Sequence, residues 1–364
     1  MKKLISLLIC IIMLVSAVGC KKEKYPEIES TKEEARVMMT FSLGNEKYEM
    51  KYELYRALFL NFSEYYDKGD KTFWNKSYST DALVEINAKI LEYTLDIFAT
   101  LHVAKEIGFD PYSGEAEEII ADYIEKSVEG DGETIAGFGG DYDAYLDSLK
   151  AANMNYSVHK LLLRYSIAYD KVIAHYEGET NESNPSENKN GALSFTRDDV
   201  LSFYNSESAA RVSPVVLNAS YVTLERAQEI RDIIAGCSTP DEAHEAAIVN
   251  TAASESDIMD GVLIGTHTLD KAYYANVTEA AFALDIYETS QVITAHTDKG
   301  TEYWILYKRE KSDDNFDQNY SNMASVFTSQ KIGEIINNAK IQLKNSLTET
   351  DAYKKLIHSE IKIA

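Results

Sequence analysis

Apolar residues between positions 52 and 176 recur every three or four residues, the spacing of one buried helix face and not of a strand. Tyr55, Leu58, Phe59, Phe62, Tyr65 and Tyr66 make the first such face. Leu83, Ile86, Ile90, Tyr93, Ile97 and Leu101 make the second, with Asp81 ahead of it as an N-cap. Gly108 ends that helix, and Asp110-Pro111 restarts the chain. Ile119, Ile120, Tyr123 and Ile124 mark a third helix. After the glycine-rich loop from Gly130 to Gly140, helices are predicted over 142–152 and 158–176. No alternating pattern interrupts this half, so it must fold as packed helices.

The pattern stops at residues 177–194. Glu177 to Pro185 is polar without one aliphatic side chain, the composition of a linker. Beyond it the periodicities mix. A short helix is predicted over 195–205, a strand over 215–223 and an amphipathic helix over 225–235. A further helix opens at Thr239-Pro240, cap followed by Pro at the first helical position. Then come a strand over 262–264, a short helix over 278–284, and strands over 292–296 and 303–307 around a turn at 297–300. Residues 195–310 thus read as a β-α-α-β-α-β-β unit. The last segment, 311–364, returns to helix, with Val326, Phe327, Ile332, Ile335, Ile336 and Ala339 on one stripe. The N-terminal helices are expected to cover that stripe. The fold class is therefore α+β, a helical domain made from both chain ends with a small mixed unit inserted.

The first residues set the compartment. Lys2 and Lys3 precede an apolar run from Leu4 to Val18, which ends in Ala17-Val18-Gly19-Cys20. This is a secretory signal, shorter than the ~20 residues of a spanning helix. A cysteine directly after small residues resembles the bacterial lipobox, which implies a signal peptide over 1–19 and lipid on Cys20. Residues 20–40 read as a polar tether. Three cysteines are present. Cys10 leaves with the signal and Cys20 carries lipid, so Cys237 stands alone and no internal disulfide can form. Loss of Lys2 and Lys3 with the signal takes the net charge from -23 to -25. So acidic a chain is unsuited to nucleic acid.

The layout resembles the extracytoplasmic foldases of the PrsA/SurA type. In these a helical chaperone domain built from both chain ends carries a parvulin-type prolyl isomerase domain. Ala104-Lys105-Glu106-Ile107-Gly108-Phe109 is similar to a helix end of that family, and Tyr142 to Met154 with Leu161 to Arg164 to its next helix pair. In the inserted unit, Phe203-Tyr204 resembles the pair before the first parvulin strand. Asn218 to Val222 falls where parvulins read Ala-Ser-His-Ile-Leu, Ala227 to Ile230 at the first helix, and Asp260 to Gly265 at the Gly-Gly-Asp-Leu-Gly segment. Glu279 to Leu284 and Glu288 to Ile293 are similar to the segments that follow.

Rotation about a prolyl bond breaks no covalent bond but has a barrier of ~18–20 kcal/mol. Parvulins meet it with an apolar cup and a polar network containing two histidines. By the resemblance the first histidine position is Tyr221, and the second is Tyr303 or Trp304. The cup's Met aligns near Tyr273 and its Phe near Val277, while Ile264 and Phe282 remain apolar and Leu263 replaces the turn aspartate. Tyrosine titrates near ~10 and does not change charge at neutral pH. The resemblance therefore implies a chaperone for unfolded exported polypeptides, without a cofactor, whose isomerase activity is weak or lost. Two rivals stay open. One is an active parvulin-type isomerase using Tyr221 and Tyr303. The other is a solute-binding lipoprotein, whose lobes of alternating strand and helix the helical stretch 50–176 argues against. The seven histidines form no metal motif, and no phosphate loop or nucleophile elbow is present.

Overall fold

The structure, a computed structural model, describes residues 24–76, 79–132, 135–179, 189–251, 261–297 and 300–361. The signal segment, Cys20, most of the polar linker, Asp260 and the turn residues Asp298 and Lys299 lie outside the described residues. The chain divides into two compact units, one ending at Val172 and resuming at Ile335, the other spanning Ile173–Glu334.

The first unit opens with a hairpin that the helical reading missed. β1 (Val37–Leu43) and β2 (Glu46–Lys51) pair antiparallel around Gly44-Asn45. Residues 37–40, assigned above to the tether, therefore belong to the fold. Tyr48 and Met50 alternate with Lys47, Glu49 and Lys51, which is a strand signal. In β1 that signal is spoiled, because a register shift between Val37 and Met39 leaves Met38 and Met39 both buried. Helices follow: α1 (Tyr52–Asp67), α2 (Ser79–Glu106), α3 (Gly114–Glu129), α4 (Tyr142–Ala151) and α5 (Tyr156–Glu177). Asp81 sits inside the first turn of α2, where its charge favours the positive helix end. Ser113 and Asp141 cap α3 and α4 through the N–H groups of Ala116 and Ala144. The stripes read from the sequence bury Tyr55, Phe59, Ile86, Ile90, Ile97 and Leu101 almost completely.

The second unit begins with α6 (Arg197–Asn205), held by a capping box between Thr196 and Asp199. β3 (Ala209–Asn218) comes next. The expected strand over 215–223 thus starts six residues earlier, at 209, and ends at Asn218, so residues 219–222 are turn. Pro214 concealed the earlier start. It is tolerated because β4 (Val262–Gly265) pairs only as far as Val212. Two residues on, Val216 donates its N–H sideways to Thr251 Oγ1 and not into the ladder (3.2 Å), so the nitrogen of Pro214 faces the same open side. α7 (Leu224–Ala235) and α8 (Pro240–Asn250) lie between β3 and β4, and α9 (Lys271–Ala283) follows β4. α9 is longer than expected and kinks at Tyr274, whose φ is -121°. β5 (Ile293–Thr297) and β6 (Gly300–Lys308) close an antiparallel sheet ordered β4-β3-β6-β5.

The chain then forms α10 (Asp313–Gln318) and α11 (Tyr320–Asn345). The first half of α11 contributes Met323, Ala324 and Phe327 to a core with Val200, Phe203, Tyr204, Leu263 and Phe316. The N-terminal helices were expected to cover Val326 and Phe327, yet α6 and β4 of the second unit do so. A helical stripe shows that a face is buried but not against what. α11 also passes close to the loop after β4. A Cβ on Gly333 would lie 2.6 Å from the Cβ and 2.7 Å from the carbonyl oxygen of His267. Gly333→Ala is therefore expected to cost about 2 kcal/mol by overpacking. Urea unfolding measures it, and an unchanged midpoint would show the contact to be dispensable.

From residue 335 onward the chain is again in the first unit. Ile336, Ala339 and Leu343 are buried, and β7 (Thr348–Glu349) pairs antiparallel with β1. Tyr353 meets Tyr55 edge-on at 5.7 Å, and His358 Nε2 lies 3.0 Å from the Tyr55 hydroxyl. Both ends of the chain therefore build one core. Among the described residues no helix is long and apolar enough to cross a membrane.

Candidate functional site

The sheet of the second unit sorts its residues by parity. Ala210 and Val212 of β3, Ile264 of β4, Ala295 of β5 and Leu306 of β6 share one face, under Val277 and Ala281 of α9. Around this buried cluster stand the half-buried Tyr274, Phe282, Ile293 and Trp304. Glu302 Oε2 accepts from Trp304 Nε1 at 2.9 Å and from the Tyr274 hydroxyl at 3.3 Å, and the two rings meet at 5.4 Å. The result is an aromatic corner with one carboxylate oxygen already engaged by two donors. Lys308 Nζ donates to the carbonyls of Phe282 and Leu284 and so fixes the C-terminal end of α9.

The sequence-derived positions divide between surfaces. Ile264, Val277 and Phe282 are brought together on this face. Tyr273 lies half-buried one residue before the kink, its ring 6.3 Å from that of Tyr274, and it is Tyr274 that joins the cluster. Tyr303 points to the opposite face, with Val215, Leu217, Ile305 and Tyr307 beneath α7 and α8, while its neighbour Trp304 is on the candidate face. In a strand a shift of one residue exchanges faces, which is why an alignment with two adjacent choices could not decide. Tyr221 stands in the turn after β3 and is 83% exposed. His296 follows Ala295 on β5 and so points to the other face, its Nδ1 3.1 Å from Thr301 Oγ1. Such a corner can hold an apolar ring against Trp304 and Tyr274. Tyr274, Glu302 and Trp304, the hydrogen-bonded members of the corner, supply a phenol, a carboxylate and an indole where the resemblance places imidazoles.

A polar pair that the sequence did not reveal lies on the other face. Ser213 Oγ is 2.8 Å from His244 Nδ1, and Arg309 Nη1 approaches both ring nitrogens at 3.4–3.5 Å. A serine this close to an imidazole has the spacing of a nucleophile and its base. Here Ser213 is wholly buried, so no substrate reaches it. The pair satisfies two buried polar groups inside the core. Close by, burial raises the Tyr307 phenol above its ordinary range. Among the described residues no group of three or more His, Cys, Asp or Glu side chains is placed to hold a metal ion.

No protein-family profile and no characterised protein matches the chain in sequence. Solved structures do align with it. The foldase protein PrsA from Streptococcus pneumoniae strain Canada MDR_19A is 16% identical with a TM-score of 0.27, over 76% of this chain and 93% of that one. The foldase protein PrsA from Lactococcus lactis is 12% identical with a TM-score of 0.24, over 90% and 99%. The peptidylprolyl isomerase PrsA from Bacillus anthracis is 14% identical with a TM-score of 0.24, over 70% and 98%. Likeness at this level assigns no activity.

Proposed function

We propose that this chain is an extracytoplasmic folding factor, held to a membrane by lipid on Cys20, that shields exposed apolar segments of exported polypeptides while they fold. The observation that carries the reading is architectural. A helical unit closed by both chain ends carries a second unit with β-α-α-β-α-β-β order from Ala209 to Lys308. That is the arrangement the sequence resemblance implies for a foldase. The aromatic corner of Tyr274, Trp304 and Glu302 supports binding of apolar rings, and the isomerase activity is weak or lost. Solute capture between two alternating α/β lobes does not fit, since the described strands pair antiparallel.

The test follows aggregation of a denatured client on dilution, with and without the full chain. Substoichiometric to equimolar protein should suppress light scattering. Cys20→Ala should leave that activity in place while releasing the protein from the membrane fraction. No suppression at several-fold excess would contradict the chaperone reading. Membrane retention of the Cys20→Ala protein would contradict the anchor.

A further inference from the structure

Residues 24–36 precede β1 and belong to the first unit. Their composition is that of a polar tether, yet they are fastened to the helices at three places. At the inner end, Ser30 Oγ donates to Glu53 Oε2 at 2.5 Å. Glu34 Oε1 accepts from Asn155 Nδ2 at 3.1 Å and pairs with Arg56 Nη2 at 3.4 Å. Glu53 and Arg56 stand on α1 and are only 4% and 6% exposed. Charges buried so deeply need partners, so Ser30 and Glu34 are part of the folded unit. Midway, Glu27 pairs with Lys160 of α5 at 2.8 Å. At the outer end the Tyr25 ring stacks on that of Tyr142 at 5.0 Å, and the Tyr25 hydroxyl donates to Glu129 Oε1 at 2.8 Å. The Tyr142 hydroxyl donates to the Pro26 carbonyl at 2.7 Å, and Lys24 pairs with the same Glu129. The segment is a strap, running from α1 past α5 to the end of α3 and the start of α4.

The outer contacts are exposed, and each alone would be weak. The inner latch changes that balance. With Ser30 and Glu34 fixed, Tyr25 meets Tyr142 within one molecule, where tethered partners have a high effective concentration. Four peptide links separate Cys20 from Lys24, a reach of at most ~14 Å. Were only the inner latch closed, the ten links from Cys20 to Ser30 would reach ~36 Å. Charge does not draw this edge to a membrane. It carries Glu125 and Glu129 of α3, with Asp141 and Asp143 at the start of α4. An anionic bilayer repels such groups, though only within a Debye length of ~8 Å at physiological salt. Placement near a bilayer therefore comes from the covalent tether.

We propose that the end of α3 and the start of α4 form the membrane-facing surface of the helical unit, with the strap holding Lys24 within ~14 Å of the lipid-bearing cysteine. The membrane as partner rests on the lipid at Cys20 proposed above, whereas the strap does not. The helical unit then meets the bilayer by one edge and does not swing on a long leash.

The experiment measures energy transfer from a dye on the α3–α4 edge to acceptor lipids in vesicles that carry the full lipidated chain. The dye is placed on Asp143→Cys, an exposed position, in a Cys237→Ser background, so that it has one point of attachment. Two changes should each lower the transfer about twofold or more, because each lengthens the free tether. Lys24→Ala with Tyr25→Ala opens the outer contacts. A Gly/Ser insert of about ten residues between Lys22 and Glu23 leaves the strap intact and lengthens the leash. Circular dichroism checks the double variant, and the insert decides alone if that variant misfolds. Vesicle flotation separates this proposal from the anchor reading. If the chain floats only with Cys20 intact and a folded variant transfers as the unaltered chain does, the strap proposal falls and the anchor stands. If the chain with Cys20 intact does not float, the anchor falls and takes the membrane-facing surface with it.

Discussion

Replacing Lys340 with methionine is expected to destabilise the helical unit by about 3 kcal/mol, the cost of leaving a buried ionic cluster without one partner. Lys340 is only 7% exposed, and its Nζ lies 2.5 Å from Glu92 Oε1 and 2.6 Å from Asp96 Oδ1. Burial alone would lower its pKa, but the charges of Asp96 and Glu92 outweigh burial and raise it. A base with a raised folded pKa contributes stability that is complete below its unfolded value near ~10.4 and is lost as the pH climbs through the folded value. The contribution is therefore fully present at neutral pH. Without Lys340, Glu92 and Asp96 repel each other one turn apart on α2. The triple variant Lys340→Met, Glu92→Gln, Asp96→Asn should regain most of the loss, because an apolar or neutral replacement of the whole cluster costs little. Urea unfolding of the single and triple variants checks both statements. A single-variant loss below about 0.5 kcal/mol would place the cluster among exposed ion pairs.

Acidification should weaken the same unit through His159. Its side chain is buried beside Tyr145, with Nδ1 2.6 Å from the phenol oxygen, and burial lowers its pKa to about 4. The unfolded chain takes up a proton near ~6.5, before the folded chain does. The stability is therefore complete above ~6.5 and falls as the pH drops toward the folded value, by about 3 kcal/mol at one pKa unit per 1.36 kcal/mol. Burial lowers the His358 pKa as well, which adds in the same direction. Asp170, on the same helix, works oppositely, since burial raises its carboxyl pKa. The difference between wild type and His159→Gln across pH 4–7 is consequently the readout, and the variant should show the shallower acid loss. Parallel curves would mean that His159 is protonated or solvated in the folded chain.

The helices were legible because their apolar spacing is regular and their ends are marked by Gly108, Asp110-Pro111 and Thr239-Pro240. The hairpin at 37–51 was not, since the irregularity at Val37–Met39 breaks the alternation that identifies a strand. β3 was misplaced for a related reason. Pro214 argues against a central strand, and only the short reach of β4 makes it admissible. At the candidate site, Ile264, Val277 and Phe282 were named from the resemblance alone, and the sheet face and α9 bring the three together. The polar members were harder. Trp304 and Tyr303 are adjacent and sit on opposite faces, and nothing short of the sheet register separates them. Ser213 and His244 are 31 positions apart and meet only through packing of α8 on β3.

The proposal at the centre of this account is that the second unit, whose sequence resembles a parvulin, rotates prolyl bonds weakly or not at all. Turnover of a proline tetrapeptide by the full chain, beside a parvulin with both histidines, tests it most directly. Loss of a positioned donor commonly costs ~3 kcal/mol, about a hundredfold in rate. The account predicts turnover at least about a hundredfold below the reference and unaffected by Tyr221→Phe, since Tyr221 is exposed in a turn. Turnover within about tenfold of the reference, abolished by Tyr221→Phe or Trp304→Ala, would contradict it.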